Sequence, residues 1–228
     1  MKPEKIRLKY CIIPLAFAEL QNALTFMGTM WLRSDTAGIT NITTDFDRMI
    51  PVIPQFVYVY LGFFAFWIIS FVLAARTGPK FFYRMIAAYI LADAVCLLFY
   101  IFFPTTNIGD RAEIEGDSLS WLLLSFVYFA SKPTNLFPST HCFVTWLSYI
   151  CVRGQKHINK VLRISFLVIA VLILLSTQFT KQHVFIDIPA GMLLAEGMYI
   201  LCGRWQKFTG LIEKVFTCIN KKVFKDLR

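Results

Sequence analysis

The chain of 228 residues predicts an all-α fold, a polytopic membrane helix bundle, and three observations carry that prediction. Hydrophobic residues make up 57% of the chain and fall in runs of membrane length, not in the short alternating pattern of half-buried strands. Only 16% of residues are charged, and although a chain of this length could bury a soluble core, the length of those runs favours a membrane. The lysines and arginines cluster between the runs, and rich and poor clusters alternate along the chain.

Taken in order, the apolar runs give six spans: Tyr10–Trp31, Pro51–Ala75, Met85–Phe103, Ser139–Val152, Ile164–Thr180 and Val184–Gly203. Each is measured against the ~20 residues that a helix needs to cross ~30 Å of hydrocarbon, and the fourth is the shortest. The first span follows a basic start, but Glu19, Gln21 and Asn22 interrupt it and no small-residue cleavage site follows. It therefore reads as a retained span and not as a removed signal peptide. Leu119–Ala130 is also apolar, but its length suits a short interfacial or re-entrant helix in the loop between the third and fourth spans. Beyond Gly203, apolar residues from Phe208 to Ile219 interleave with lysines at helical spacing. That pattern predicts an amphipathic helix on the inner membrane surface, so the chain divides into a membrane domain, 1–203, and a basic cytoplasmic tail, 204–228.

Charge placement supports an even number of spans. Eighteen Lys and Arg lie before the first span, in the loops after the second and fourth, and in the tail, against five in the alternate loops (Arg33, Arg48, Arg111, Lys132, Lys181). The bias predicts a multi-pass protein of the cell membrane with both termini cytoplasmic and the loops holding Arg111, Pro138–His141 and Lys181–His183 outside. The net charge of +9 does not indicate nucleic acid, because the basic residues flank membrane ends, where anionic lipid headgroups attract them. Five of the six cysteines fall in spans and Cys218 in the tail, so no disulfide framework is expected. No metal-ligand spacing occurs, and neither a metal nor a cofactor is expected.

Two segments carry chemistry. In Phe137-Pro-Ser-Thr-His141, Ser139 is placed to cap the fourth span, leaving first-turn amides free to attract an anion. The hydroxyls of Ser139 and Thr140 add donors, and His141 supplies a group that titrates near neutral pH. In the segment from Ser176 to Asp187, His183 and Asp187 are four residues apart at the start of the sixth span. On one helix face the carboxylate would accept the imidazole N–H and leave the other ring nitrogen free as a nucleophile. Each segment also has a plainer reading, a capped helix with a surface histidine and a structural His–Asp hydrogen bond.

Pro-Ser-Thr-His, followed by Ser176-x6-His183-x3-Asp187, resembles the second and third signature motifs of the type 2 phosphatidic acid phosphatase superfamily, which includes lipid phosphate phosphatases and the inositol phosphorylceramide synthase branch. The likeness covers roughly residues 104–191. It implies a six-helix bundle with an outward-facing site, a phosphohistidine intermediate, no metal, and a lipid phosphate as substrate among membrane lipids. In that reading His183 attacks phosphorus, Asp187 orients it, His141 protonates the leaving oxygen, and Ser139, Thr140 and Ser176 line the phosphate pocket. The first motif of the family, Lys-x6-Arg-Pro, is reduced here to Arg111, with Pro104 where the lysine belongs. Lys80 lies on the inner face and cannot replace it. Thr177 stands where the third motif has Arg, so two cations of the family are absent, and Lys181 and Lys132 are the nearby replacements. The expected activity is lipid phosphate hydrolysis; transfer to an alcohol acceptor, or lipid-phosphate binding without catalysis, are the alternatives.

Outside these segments, Glu19, Asp93 and Glu196 sit within spans and read as bundle contacts. Asn41-Ile-Thr43 is a glycosylation sequon on the outer side, and His157 lies solvated in the basic inner loop.

Overall fold

The computed structural model describes residues 6–32 and 38–225; Lys2, Lys5, Arg33 and Arg228, counted above in the charge bias, lie outside them. The described residues are mostly helical, with only two strands of two residues each. In order come α1 (Lys9–Ala23), a π-helical turn (Leu24–Gly28), α2 (Thr29–Leu32), β1 (Thr40–Asn41), α3 (Asp45–Met49), α4 (Phe56–Thr77), α5 (Pro79–Phe102) and β2 (Thr105–Thr106). Then follow α6 (Leu119–Ala130), α7 (Thr140–Ile150), α8 (Lys160–Phe179), α9 (Asp187–Arg204) and α10 (Gln206–Phe224).

Four helical segments are long and apolar enough to cross a membrane: Lys9–Gly28, α4, α5 and α8. The other two expected spans are helices of a different kind. α7 has 11 residues, about 16 Å at 1.5 Å per residue, and α9 carries Asp187, Glu196 and Arg204. Local chemistry explains where the observed ends depart from those read in the sequence. α5 begins at Pro79, six residues before the expected Met85, because Gly78 takes φ 137° and Pro79 opens the helix where its missing N–H costs nothing. α8 begins at Lys160 because the Asn159 side chain accepts the Leu162 N–H at 2.7 Å. α9 begins only at Asp187, three residues beyond the expected Val184.

α5 runs through the middle of the bundle, packed on α4, α9, α10 and α1, while α7 is held between α9, α8 and α4. Aromatic and small residues fill this core, among them Phe71, Phe82, Tyr89, Phe143 and Ala92. α7 and α9 approach closely at Gly191, where a Cβ would stand 2.5 Å from Cys142 Cβ and 2.8 Å from the Phe143 amide nitrogen. α6 packs on the first turns of α4 through Leu124 and Val127 against Val57 and Tyr60. β1 and β2 pair in parallel, Thr40 with Thr105, tying the segment before α4 to the segment after α5. α10 seats Phe216 against Phe17 and Tyr83 and leaves Leu211, Val215, Ile219 and Val223 exposed along one stripe.

Gly191 and Gly197, on one helix, make a paired test of this packing. Gly191→Ala should destabilise the bundle, because overpacking of about 1–3 kcal/mol against the backbone of α7 exceeds the gain in helix propensity. Gly197→Ala, with no atom within 4 Å of its Cβ, should be neutral or stabilising by about 0.8–1 kcal/mol. Thermal unfolding in detergent measures both, and equal melting temperatures would contradict the close approach.

Candidate active site

The N-terminus of α7, the loop from α8 to α9 and the start of α9 meet at one point. Ser139 caps α7 as expected: its Oγ accepts the Cys142 N–H at 3.2 Å. The same Oγ lies 3.1 Å from His183 Nε2, and His183 Nδ1 lies 3.0 Å from Asp187 Oδ2. Ser139 and Asp187 are fully buried and the His183 side chain is 9% exposed. With the carboxylate accepting from Nδ1–H, Nε2 is left as a lone pair that the Ser139 hydroxyl donates to; this tautomer follows from the hydrogen-bond network. Burial first, and then the charge of Arg111, hold the His183 imidazole well below its ordinary value. The pair is therefore a neutral imidazole on a carboxylate and not an ion pair at neutral pH, which is the form a nitrogen nucleophile needs.

The spacing of His183 and Asp187 works through a turn and not through a shared helix face. His183 precedes α9, the Asp187 N–H donates to the Val184 carbonyl at 3.0 Å, and Asp187 Oδ2 also takes the Val184 N–H at 3.4 Å. The loop is closed from the other side by α8, where the Thr177 carbonyl accepts the N–H groups of both Gln182 and His183. Thr177 thus contributes its backbone to the loop that holds His183.

His141 stacks on Tyr60, with ring centroids 4.8 Å apart, and packs at a tilt of 47° against Phe63; its ring is 5.6 Å from that of His183. Both histidines and Thr140 line a largely apolar cavity of about 330 Å³ bounded by the π-helical turn, α4 and α6. Arg111 lies over the Tyr128 ring, donates to the carbonyls of Ser131 at 2.6 Å and Tyr128 at 3.3 Å, and reaches Gln182 Oε1 at 3.4 Å. Its Nε is buried and unpaired, so this guanidinium has a donor to spare beside the site. Burial pulls Arg111 below its ordinary value.

The remaining expected site residues are placed apart from this centre. Ser176 sits one turn back in α8, its hydroxyl donating to the Ile173 carbonyl at 2.6 Å and its own carbonyl capped by Thr180. Lys181 turns away from the cavity: Nζ donates to the Asp47 carbonyl at 2.5 Å. Lys132 is exposed on the loop before Asn135. Among the described residues no group of three metal-binding side chains occurs.

One residue with a structural part in the site was not expected from the sequence. Asp47, buried in α3, accepts the Phe185 N–H at 2.6 Å through Oδ1 and the Thr44 N–H at 2.8 Å through Oδ2. Together with Lys181, it grips both flanks of His183. Lys181 has φ 51°, a left-handed conformation costly for a side chain, and Asn107 holds its carbonyl at 2.9 Å. The capping box between Thr44 and Asp47 is visible in the sequence, but nothing local points from it to Phe185.

With three histidines in the chain, ¹⁵N NMR of histidine-labelled protein can follow His183 alone, assigned by its loss in His183→Asn. His183 should stay neutral at pH 5.5, and Arg111→Gln should raise its pKa, because a neighbouring positive charge opposes protonation and its removal relaxes that opposition. A downward or absent shift in Arg111→Gln would contradict the electrostatic coupling. No protein-family model, no curated protein and no solved structure matches this chain.

Proposed function

We propose that this protein is a membrane-embedded lipid phosphate phosphatase that works through a phosphohistidine intermediate. The observation that carries the reading is the buried relay Ser139–His183–Asp187, with His141 across a cavity whose remaining walls are largely apolar. A neutral imidazole with an oriented lone pair, a second imidazole within one ring's reach and a guanidinium alongside supply nucleophile, acid and counter-charge. The apolar cavity suits the hydrocarbon of a lipid. The likeness of these segments to the type 2 phosphatidic acid phosphatase superfamily points the same way.

In the first half-reaction His183 Nε2 attacks phosphorus, the P–O bond to the lipid breaks, and His141, having taken the proton of the incoming phosphate monoanion, delivers it to the leaving alkoxide. In the second, neutral His141 takes a proton from water as the water oxygen bonds to phosphorus and the P–N bond breaks. Phosphate leaves with that proton, and both imidazoles return to their neutral starting states. Arg111 is the cation best placed to stabilise the equatorial oxygens, a role for which the sequence offered Lys181 as replacement for the missing cations. An acceptor alcohol in place of water would turn the same site into a phosphotransferase. In the full proposal α7 and α9 complete six spans, both termini are cytoplasmic, α6 lies at the outer interface and α10 on the inner one.

Activity on a panel of lipid phosphates should persist in EDTA and vanish in His183→Ala, and acid-labile, base-stable phosphate should appear on protein quenched during turnover. Arg111→Met should lower turnover about a hundred- to a thousand-fold, corresponding to about 2.7–4 kcal/mol for one lost oxyanion donor, and Lys181→Met should lower it less. Loss of activity in EDTA that a divalent ion restores would overturn the mechanism, and the reverse ranking would return the cation role to Lys181. Product analysis with added alcohol separates hydrolysis from transfer. Sidedness has its own test: Lys132→Cys should react with an impermeant thiol reagent in intact cells and Lys156→Cys should not, the opposite result placing the site in the cytoplasm.

A further inference from the structure

The cavity beside His183 has a depth and a floor. Asn135 Nδ2 donates to Thr29 Oγ1 at 2.7 Å and to the Phe26 carbonyl at 3.3 Å, which fixes the level of the histidines against the first helical segment. Glu19 also lines the cavity, at an edge where it is itself exposed, and it precedes Phe26 and Thr29 by seven and ten residues, so it lies about 10–15 Å further along the first helical segment at 1.5 Å per residue. Between these levels the lining is mainly aromatic and aliphatic, including Phe26, Tyr60, Phe63 and Trp67, with Asn22 as a polar exception.

The cavity opens sideways. Met27, Phe64 and Phe126 line it and are also 58%, 47% and 61% exposed on the outside of the bundle, on the π-helical turn, α4 and α6. Hydrocarbon covers such faces when helices of this length cross a bilayer. The π-helical turn Leu24–Gly28 widens the first segment at this mouth, and such turns recur at functional sites. Its volume of about 330 Å³ is near the lower end of the ~300–1,000 Å³ of ligand sites, room for one chain and not for two.

Glu19 gives the floor a chemical character. Its neighbour Asn22 is committed to Asp93 at 3.2 Å, and Glu19 makes no hydrogen bond among the described residues. A chain that reaches this carboxyl strips its solvation without offering a partner, which is costly for a polar group and more so for a charged one.

We propose that this cavity binds a single hydrocarbon chain of the phosphate-bearing substrate, admitted sideways between the π-helical turn, α4 and α6, and that Glu19 sets the longest chain it accepts. The inference rests on the phosphatase reading for the placement of the headgroup at His183. It assigns the substrate to lipid phosphates with one short or medium alkyl chain docked in the protein, any second chain remaining in the bilayer.

The test uses the purified full chain and three probes, octyl, dodecyl and hexadecyl phosphate, with phenyl phosphate as the chainless reference within each variant. Wild-type kcat/KM should rise from octyl to dodecyl and fall at least tenfold at hexadecyl. Glu19→Leu should abolish that fall, and Ala23→Phe, which fills the cavity wall, should remove the advantage of dodecyl over octyl. Identical chain-length profiles in all three proteins would overturn the inference while leaving the phosphatase reading intact. If no phosphate is released from any probe, the phosphatase reading fails and the cavity is judged by binding: a diazirine at the end of dodecyl phosphate should crosslink beside Glu19 or Met27 in wild type and not in Ala23→Phe. Crosslinks elsewhere on the chain would overturn it.

Discussion

The close approach of α7 and α9 at Gly191 is the constraint on which the rest of the site depends. Asp187 and Gly191 are four residues apart and share a face of α9, so the face that lets the two backbones meet also carries the carboxylate toward Ser139. Separation of these helices by one methyl group would lengthen the path from Ser139 Oγ through the His183 ring to Asp187 Oδ2, both of whose links are now about 3 Å. Hydrogen bonds weaken steeply beyond that range, and a reacting nitrogen misplaced by a fraction of an ångström loses much of its rate. A residue with no side chain thus sets the geometry of three that have them.

Holding His183 takes more than its two ring contacts. The segment between α8 and α9 turns sharply enough to force Lys181 to φ 51°, and four elements distant in sequence tie it down: α3 through Asp47, the loop after β2 through Asn107, α6 through the Tyr128 hydroxyl on the Thr180 carbonyl, and the chain before α4 through Ile53 on the Phe179 carbonyl. Each bond alone is modest, but together they fix a strained backbone that no single one could hold. The loops on this side of the bundle are therefore part of the site's rigidity. Lys181 spends its charge in this clamp, which is why Arg111 emerges as the cation of the pocket.

Several features were legible in the sequence because they are local. Ser139 as a cap, the helices over the apolar runs, the bounds of Leu119–Ala130 and the nearness of His183 to Asp187 all follow from short-range rules of capping and periodicity. Even there the reason differed from the one read in advance: His183 and Asp187 meet across a turn, since α9 starts at Asp187 and the intervening backbone bonds to the carboxylate. The role of Asp47 was illegible because its partner Phe185 lies 138 residues away, and pairing over that distance leaves no trace in local pattern. Span counting also met its limit. The 11 residues of α7 are too few for an ordinary crossing, and α9 carries charges that hydropathy penalises but the bundle satisfies, as Arg153 and Trp146 do for Glu196.

The electrostatics of the centre explain why so much of it is buried. A histidine in water is partly protonated near neutral pH and then offers no lone pair. Here burial and the Arg111 charge both oppose protonation of His183, while Asp187 keeps the remaining proton on Nδ1, so protonation and tautomer are set by different neighbours. In the proposed reaction the same guanidinium would attract the phosphate that the imidazole would attack. In the proposed mechanism one partly buried cation would therefore act twice, first by keeping the imidazole neutral and then by drawing the phosphate to it.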